Sequence, residues 1–380
     1  MKKLFSGYYH PTDKEFEKLW EECIFVFDAN VLLNLYRYSP KTSTDMINIL
    51  KNISDRVWIP HQTALEFHNH RLSIISEQVN SYSNIQDDIK KMQNKISDTL
   101  HSKKHPFIKN SDKLLGSAEK IFNKISGELE KRKEDYLASL KIDGNHDTIL
   151  QEVTLIFDGK TGLEYPNDQL TENYNKGKKR YAQNIPPGYM DEVKGDEVRK
   201  YGDLLIWFQT IDKAKDSKKS VILITDDKKE DWWREHKGET IGPRPELIQE
   251  FLAESGKNFY MYSMDNFIDK AQKYLEEKVE KETIQEAREL RRQNEERHKN
   301  AVNLAQIAAQ LSKPSPRLTD LGKLIRKQQS PEVSDLAKLI REQQSPEVSD
   351  LAKLMAQIKK QQDIDMTNND DKSESIDSEE

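Results

Sequence analysis

Two runs of unbroken apolar residues stand out in an otherwise polar chain: Cys23-Ile24-Phe25-Val26-Phe27 and Val221-Ile222-Leu223-Ile224. Near-continuous runs of this length read as interior strands of a parallel sheet, covered on both faces. Shorter runs at Arg56-Val57-Trp58-Ile59, closed by Pro60, and at Phe259-Tyr260-Met261-Tyr262 predict further strands. Between them the apolar spacing turns helical. Helices are predicted over 12–22 (opened by Thr12 or Asp13), just after Asp28, from Thr44 to Ile53, around Glu66, from Asp203 to Lys215, through Trp232-Trp233 and near 245–255. Strand alternating with helix is the signature of βαβ units, so the fold class is α/β with a parallel sheet.

The stretch 72–185 breaks this rhythm. It is lysine-rich and helical in period, with breaks at Pro106, Gly144 and Pro166, and reads as a large helical insertion on the sheet edge. From about 266 a single charged helix is expected to reach roughly Leu311. Three near-copies of a 15-residue unit follow, starting at Ser315, Ser330 and Ser345. Each opens on Ser-Pro, a strong helix start, but three turns of helix are marginal alone in water. The repeats over 313–362 therefore fit self-association or a protein partner, and equally a duplicated spacer. The expected division is a domain over 1–275, a charged helix over 276–312, the repeats, and an acidic, disordered tail over 363–380.

Charge changes the picture only after this division. The net charge is −6, but the tail carries eight acids against Lys372, leaving the rest of the chain at +1. No global basic signature announces nucleic acid, and none forbids it. A lone cysteine, Cys23, inside a core strand fits a reducing compartment. The N-terminus lacks an apolar stretch suited to a signal peptide, and no run is long enough to span a membrane. A soluble cytoplasmic protein is expected.

Candidate chemistry sits at strand ends and helix starts. Asp28 follows the first apolar run, Asp226 and Asp227 the second; Asp203 opens a helix at Tyr201-Gly202-Asp203, and Glu66 lies on the helix after Pro60. A parallel sheet gathers such positions at one edge. Taken singly, each acid has an ordinary explanation as a helix cap, a solvated glutamate or a turn residue. Taken together, carboxylates at one edge repel unless a cation sits among them. Hard oxygen donors suit Mg²⁺ or Mn²⁺, which can activate water and stabilise a leaving oxygen in phosphodiester hydrolysis. His61, His68 and His70 flank Glu66 without forming HExxH, and no Cys/His cluster suits structural zinc. GxxxxGK[ST], GxGxxG and GxSxG are all absent. Asn30 stands where an aspartyl-nucleophile phosphatase usually carries its second acid.

The words Phe27-Asp28-Ala29-Asn30-Val31-Leu32-Leu33, the Glu66 helix, Pro186-Pro187-Gly188-Tyr189, Tyr201-Gly202-Asp203 and Thr225-Asp226-Asp227-Lys228-Lys229-Glu230-Asp231-Trp232-Trp233 resemble the PIN-like nucleases over roughly 20–265. In particular they resemble the large bacterial branch that carries the Pro-Pro-Gly-Tyr turn. The resemblance implies a Rossmann-like sheet and Mg²⁺- or Mn²⁺-dependent cleavage of RNA or single-stranded DNA. It implies Asp28, Glu66, Asp203 and Asp227 as catalytic metal ligands, with Asp226 a candidate because strand register decides which acid faces inward. Asn30 and Thr225 would be hydrogen-bonders behind them, and Asp191 an accessory acid or an ordinary surface aspartate.

For substrate, Lys176, Lys178, Lys179 and Arg180 could hold phosphates while Tyr181 stacks on a base; a solvated lysine-rich helix accounts for the same residues. Trp232 and Trp233 read as core packing. The leading expectation is a metal-dependent endonuclease, with a toxin or antiviral effector role open. The alternative is a catalytically silent nucleic-acid-binding adaptor whose repeats recruit a protein partner.

Overall fold

The computed structural model describes residues 1, 4–102, 111–140, 147–192, 199–237, 239–276 and 278–311. One compact unit spans Met1–Lys299; of the second, Asn300–Glu380, only the residues up to 311 are described. The three repeats and the acidic tail lie outside the described residues, as do Pro106 and Gly144. In chain order the elements are α1 (Asp13–Glu22), β1 (Ile24–Phe27), α2 (Ala29–Asn34), α3 (Pro40–Asn52), β2 (Val57–Trp58), α4 (His61–Ser102), α5 (Ser111–Leu140), α6 (Thr148–Phe157) and α7 (Asn167–Tyr181). Then come α8 (Gly202–Ser217), β3 (Val221–Ile224), β4 (Trp233–His236), β5 (Glu239–Pro243), α9 (Pro245–Ser255), β6 (Phe259–Tyr262), α10 (Met264–Tyr274) and α11 (Lys281–Leu311).

The central sheet is parallel, in the order β2-β1-β3-β6, with Phe25 opposite both Val57 and Ile222, and Ile222 opposite Tyr260. Its strands alternate between two separate cores. Phe25, Phe27, Ile222, Ile224, Tyr260 and Tyr262 pack with α1, α2, α3, α6 and α10. Ile24, Val26, Val221, Leu223, Phe259 and Met261 pack with α8 and α9 around Trp207. Both faces are dry, which is why these strands lack the apolar–polar alternation of a half-exposed sheet. From β1 the chain steps to β2 on one side and later returns to β3 on the other. The topological switch point, where a parallel sheet opens a crevice, therefore lies between the ends of β1 and β3.

Thr12, not Asp13, caps α1: its hydroxyl accepts from Glu15 N–H while Glu15 reaches back to Thr12 N–H at 2.7 Å. The insertion has two parts. Helices α4 and α5 form a long polar hairpin, α4 running on without a break from the Glu66 turn. By contrast α6 belongs to the core, burying Ile149, Val153, Ile156 and Phe157, and Thr161 bridges in parallel to Ile59 at the β2 edge. Asp147 fixes this corner: it caps α6 at Leu150 N–H (2.8 Å), accepts from Tyr36 Oη (2.8 Å) and pairs with Arg71 of α4 at 2.7 Å.

Two expectations fail. The helix expected through Trp232-Trp233 is a turn followed by the β4–β5 hairpin: Trp232 and Trp233 N–H both donate to Lys229 O, at 3.1 and 3.2 Å. Nearby Asp231, fully buried, spends its carboxylate on the Gly188 loop. The single helix expected from 266 is two. Helix α10 stops at Tyr274, Glu276 takes φ 57°, Gln272 donates to Val279 O, and α11 starts afresh at Lys281. The first half of α11 is docked: Thr283 and Ala287 are buried, and Glu286 accepts from Ser39 and Thr42. Further along, Asn294 approaches Asn34 at 3.5 Å and Glu295 pairs with Lys228 at 2.9 Å. No described helix is long and apolar enough to cross a membrane.

Candidate active site at the switch point

Strand parity sorts the acids. Asp28 continues the face of Ile24 and Val26, and Thr225 and Asp227 continue that of Val221 and Leu223, so all three turn toward α8. Asp226 continues the opposite face. Its carboxylate accepts from Asn34 Nδ2 and from the Met264 N–H that starts α10, both at 2.9 Å. Asp226 is thus tied into α2 and α10, and burial pushes its carboxyl up to about 6.

Asp28 is the cap of α2, accepting from Ala29 N–H at 2.6 Å. Its other oxygen accepts from Asn30 Nδ2 at 2.5 Å and Thr225 Oγ1 at 2.7 Å. Asn30 also donates to Thr225 Oγ1 (3.0 Å) and accepts from Asp226 N–H (3.0 Å), so the β1 and β3 ends are laced together behind the carboxylate. Part of Asp28 stays accessible, yet the surrounding protein strips most of its water. Burial first, then the charge of Glu66, lift its carboxyl to about 8; Asp203 and Asp227 add to this. That mutual influence identifies a shared neighbourhood for acids drawn from β1, α4, α8 and the loop after β3.

Glu66 sits on the second turn of α4, held by Gln62 Nε2 at 2.8 Å. It meets the first residue of α8, where a Cβ on Gly202 would stand 2.7 Å from its Oε1. Only glycine lets the carboxylate approach the N–H-rich end of that helix this closely. Asp203, one residue on, accepts from Trp232 Nε1 at 3.3 Å.

Into this group projects Lys229, 8% exposed at its side chain, with its ammonium 3.0 Å from Asp191, 2.9 Å from Asp203 and 2.8 Å from Asp227. Burial alone would lower its pKa, but Asp203, Asp227 and Asp191 together raise it, so it stays charged. Burial raises the Asp227 carboxyl despite this partner. Among the described residues no three His, Cys, Asp or Glu side chains close around a common cation position. The cation that the acids enclose is the lysine's own.

Asp231 accepts Gly188 N–H at 2.8 Å and Met190 N–H at 3.1 Å, stapling the Pro-Pro-Gly-Tyr turn to the loop after β3. Gly188 takes φ +92°, and a Cβ there would fall 2.3 Å from Tyr181 Oη. The turn delivers Asp191, only 4% exposed, to Lys229; it is no surface aspartate. Lys229, Asp231, Gln62 and Gly202 received no role from the sequence.

A cleft of about 830 Å³ opens beside Glu66, Asp203 and Asp191, lined also by His61, Asn69, Tyr165, Tyr174 and Arg199. The basic patch lies elsewhere, around a hollow of about 400 Å³ on α7, α8 and α9 that shares Tyr165 with the cleft. Within it Arg180 grips Glu250 at 2.5 and 2.8 Å, Lys176 pairs with Glu172 at 2.8 Å, and Lys178 and Lys179 are exposed. Tyr181 corrects the expectation of a stacking platform: it is 2% exposed, donates to Lys200 O at 3.0 Å and packs on Tyr201. Trp232 and Trp233 are buried, as core packing requires.

A family model described as a PIN like domain matches residues 24–247, more than half of the chain, a range that includes Asp28, Glu66, Asp191, Asp203, Asp226 and Asp227. The chain belongs to the PIN-like domain family. Domains of this family are generally Mg²⁺-dependent nucleases, and the parallel sheet flanked by helices is their fold. No curated protein and no solved structure matches.

Proposed function

We propose that this PIN-like protein is a Mg²⁺- or Mn²⁺-dependent endonuclease cutting RNA or single-stranded DNA at the β1–β3 switch point. The observation that supports the reading is that Asp28 feels the charges of Glu66, Asp203 and Asp227, acids remote in sequence, of which Glu66 and Asp203 also line one cleft. Their donor set is all carboxylate oxygen, which fits a hard divalent cation. Asp28 and Glu66, with Asp203 and Asp227, would hold it. When bound, such an ion supplies an acidified water and charge stabilisation at the leaving oxygen.

The protein's own groups do the positioning. Ala29 N–H, Asn30 and Thr225 hold both oxygens of Asp28, and Gln62 holds Glu66. Holding carboxylates in place before substrate arrives removes reorganisation from the barrier. Tyr165, Tyr174 and Arg199 line the cleft and would be the side chains to meet the bases and phosphates of an extended strand.

The test is incubation with single- and double-stranded RNA and DNA, in Mn²⁺ or EDTA, of wild type beside Asp28→Ala. Cutting should require Mn²⁺ and vanish in the variant; equal cutting by both would end the reading. One observation favours the catalytically silent adaptor: Lys229 already compensates three carboxylates. That adaptor would bind the same strands without cutting under any metal. An effector restrained through the tail is tested separately: deleting 313–380 should release toxicity in cells, and unchanged growth would refute the restraint.

A further inference from the structure

Lys229 is not a surface lysine that has folded inward. Its own N–H donates to Asp227 Oδ1 at 3.1 Å, and its carbonyl takes the N–H groups of Trp232 and Trp233. The backbone is pinned on both sides, so the direction of the side chain is set by the turn. An ammonium has three N–H bonds and no acceptor. Here the three N–H bonds match three carboxylates, each between 2.8 and 3.0 Å away. Nothing is left over to contact a substrate phosphate.

The site thereby divides. Asp191, Asp203 and Asp227 share a fixed monovalent cation, whereas Asp28 is answered by neutral hydrogen-bond donors and faces the charge of Glu66. Many phosphodiesterases seat two divalent ions about 4 Å apart between such groups of acids. Carboxylate oxygens drawn to an ammonium at these separations cannot also close to the ~2.1 Å that Mg²⁺ requires on the same side.

We infer that Lys229 is a positioning residue standing in for a second metal ion: it fixes Asp203 and Asp227 from one side, so the site takes a single divalent ion on the Asp28–Glu66 side. This inference rests on the nuclease reading of that same site. Its consequence is a count that activity alone would not reveal. The lysine keeps two ligands pre-aimed without depending on metal supply, and it prevents a second ion from pulling them toward Asp191.

The experiment titrates the full-length chain with Mn²⁺ and counts bound ions by electron paramagnetic resonance of the free ion, in wild type, Lys229→Met and Lys229→Arg, each checked by near-ultraviolet circular dichroism. Wild type should bind one ion. Lys229→Met, similar in volume but uncharged, should bind one more, because three carboxylates lose their cation. Lys229→Arg, which keeps the charge, should stay at one; a purely structural lysine would leave both variants alike. Two ions in wild type would overturn the inference, and this count needs no variant to fold. A folded Lys229→Met that still binds one ion would overturn it equally. Wild type binding no Mn²⁺ at all would instead remove the nuclease reading beneath it.

Discussion

Replacing Asp28 by Asn probes the electrostatics of the site while hardly changing its shape. Burial and the charge of Glu66 lift this carboxyl from its ordinary 3.8 to about 8. At about 1.36 kcal/mol per pH unit, the ionised residue weakens the metal-free fold by up to ~6 kcal/mol once the pH exceeds the folded value. Asparagine removes that charge but carries its own penalty. Its amide N–H faces Asn30 Nδ2 and Thr225 Oγ1, both of which now donate to Asp28, and unmatched donors cost ~1–3 kcal/mol. The sign follows from proton linkage. Folded Asp28 holds its proton more tightly than the unfolded chain does, so wild type loses stability as pH rises from about 4 to about 8. Asp28→Asn should therefore melt below wild type near pH 4, where only the penalty acts. Above about pH 8 it should melt roughly 6–10 °C higher, from a net gain of up to ~3–5 kcal/mol. The assay is thermal unfolding in EDTA across that range, repeated with Mn²⁺, which should stabilise wild type and not the variant. A melting difference that stays constant from about pH 4 to about pH 9 would refute the reasoning, because a site without repelling charges has nothing to titrate.

Asp226 and Asp227 should part company. Asp226→Ala should lower stability by ~1–3 kcal/mol through the lost α10 cap while leaving cleavage nearly intact, whereas Asp227→Ala should cut turnover by about 100-fold or more; melting and single-turnover rates decide. Gly202→Ala should reduce Mn²⁺ affinity about 10- to 100-fold with little change in melting temperature, since its Cβ would press on Glu66 Oε1. Tyr181→Phe should cost about 1 kcal/mol of stability, from the lost bond to Lys200 O, and leave single-strand affinity unchanged. Tyr181→Leu, which removes the ring, should likewise leave that affinity unchanged, and a loss of ~1–3 kcal/mol in fluorescence anisotropy would restore Tyr181 as a stacking platform.

How far the chain could be read follows from which interactions are local. The four sheet strands are legible because each is a short apolar run, and two dry faces leave no polar position inside it. Parity was legible too: counting by twos along Val221-Ile222-Leu223-Ile224 sends Asp227 and Asp226 to opposite faces, although the point where the strand stops sets the count. Lys229 was not legible. A lysine in a run of charges looks solvated, and only the turn closed by Trp232 and Trp233 aims it inward. The same long-range dependence hid Asp231, whose partners lie on the Gly188 loop. Tyr181 misled because basic neighbours one turn away say nothing about which side of α7 meets the core. One local signal was available for the Gly188 loop: a tight Pro-Gly turn exposes N–H groups that a nearby carboxylate must satisfy.

The matched stretch ends at residue 247, but the sheet does not. Strand β6 begins at Phe259, hydrogen-bonds along β3, and leads to the Met264 N–H that anchors Asp226 beside the proposed ligands. Trp20, just before the match, stacks on Phe267, well after it. A protein trimmed to the family boundaries would turn β3 into a bare edge, ready to pair with another chain, and would release the loop carrying Asp227. Excision for recombinant work or domain grafting should therefore keep everything from Met1 through Lys299, a unit that sequence alignment alone would cut short at both ends.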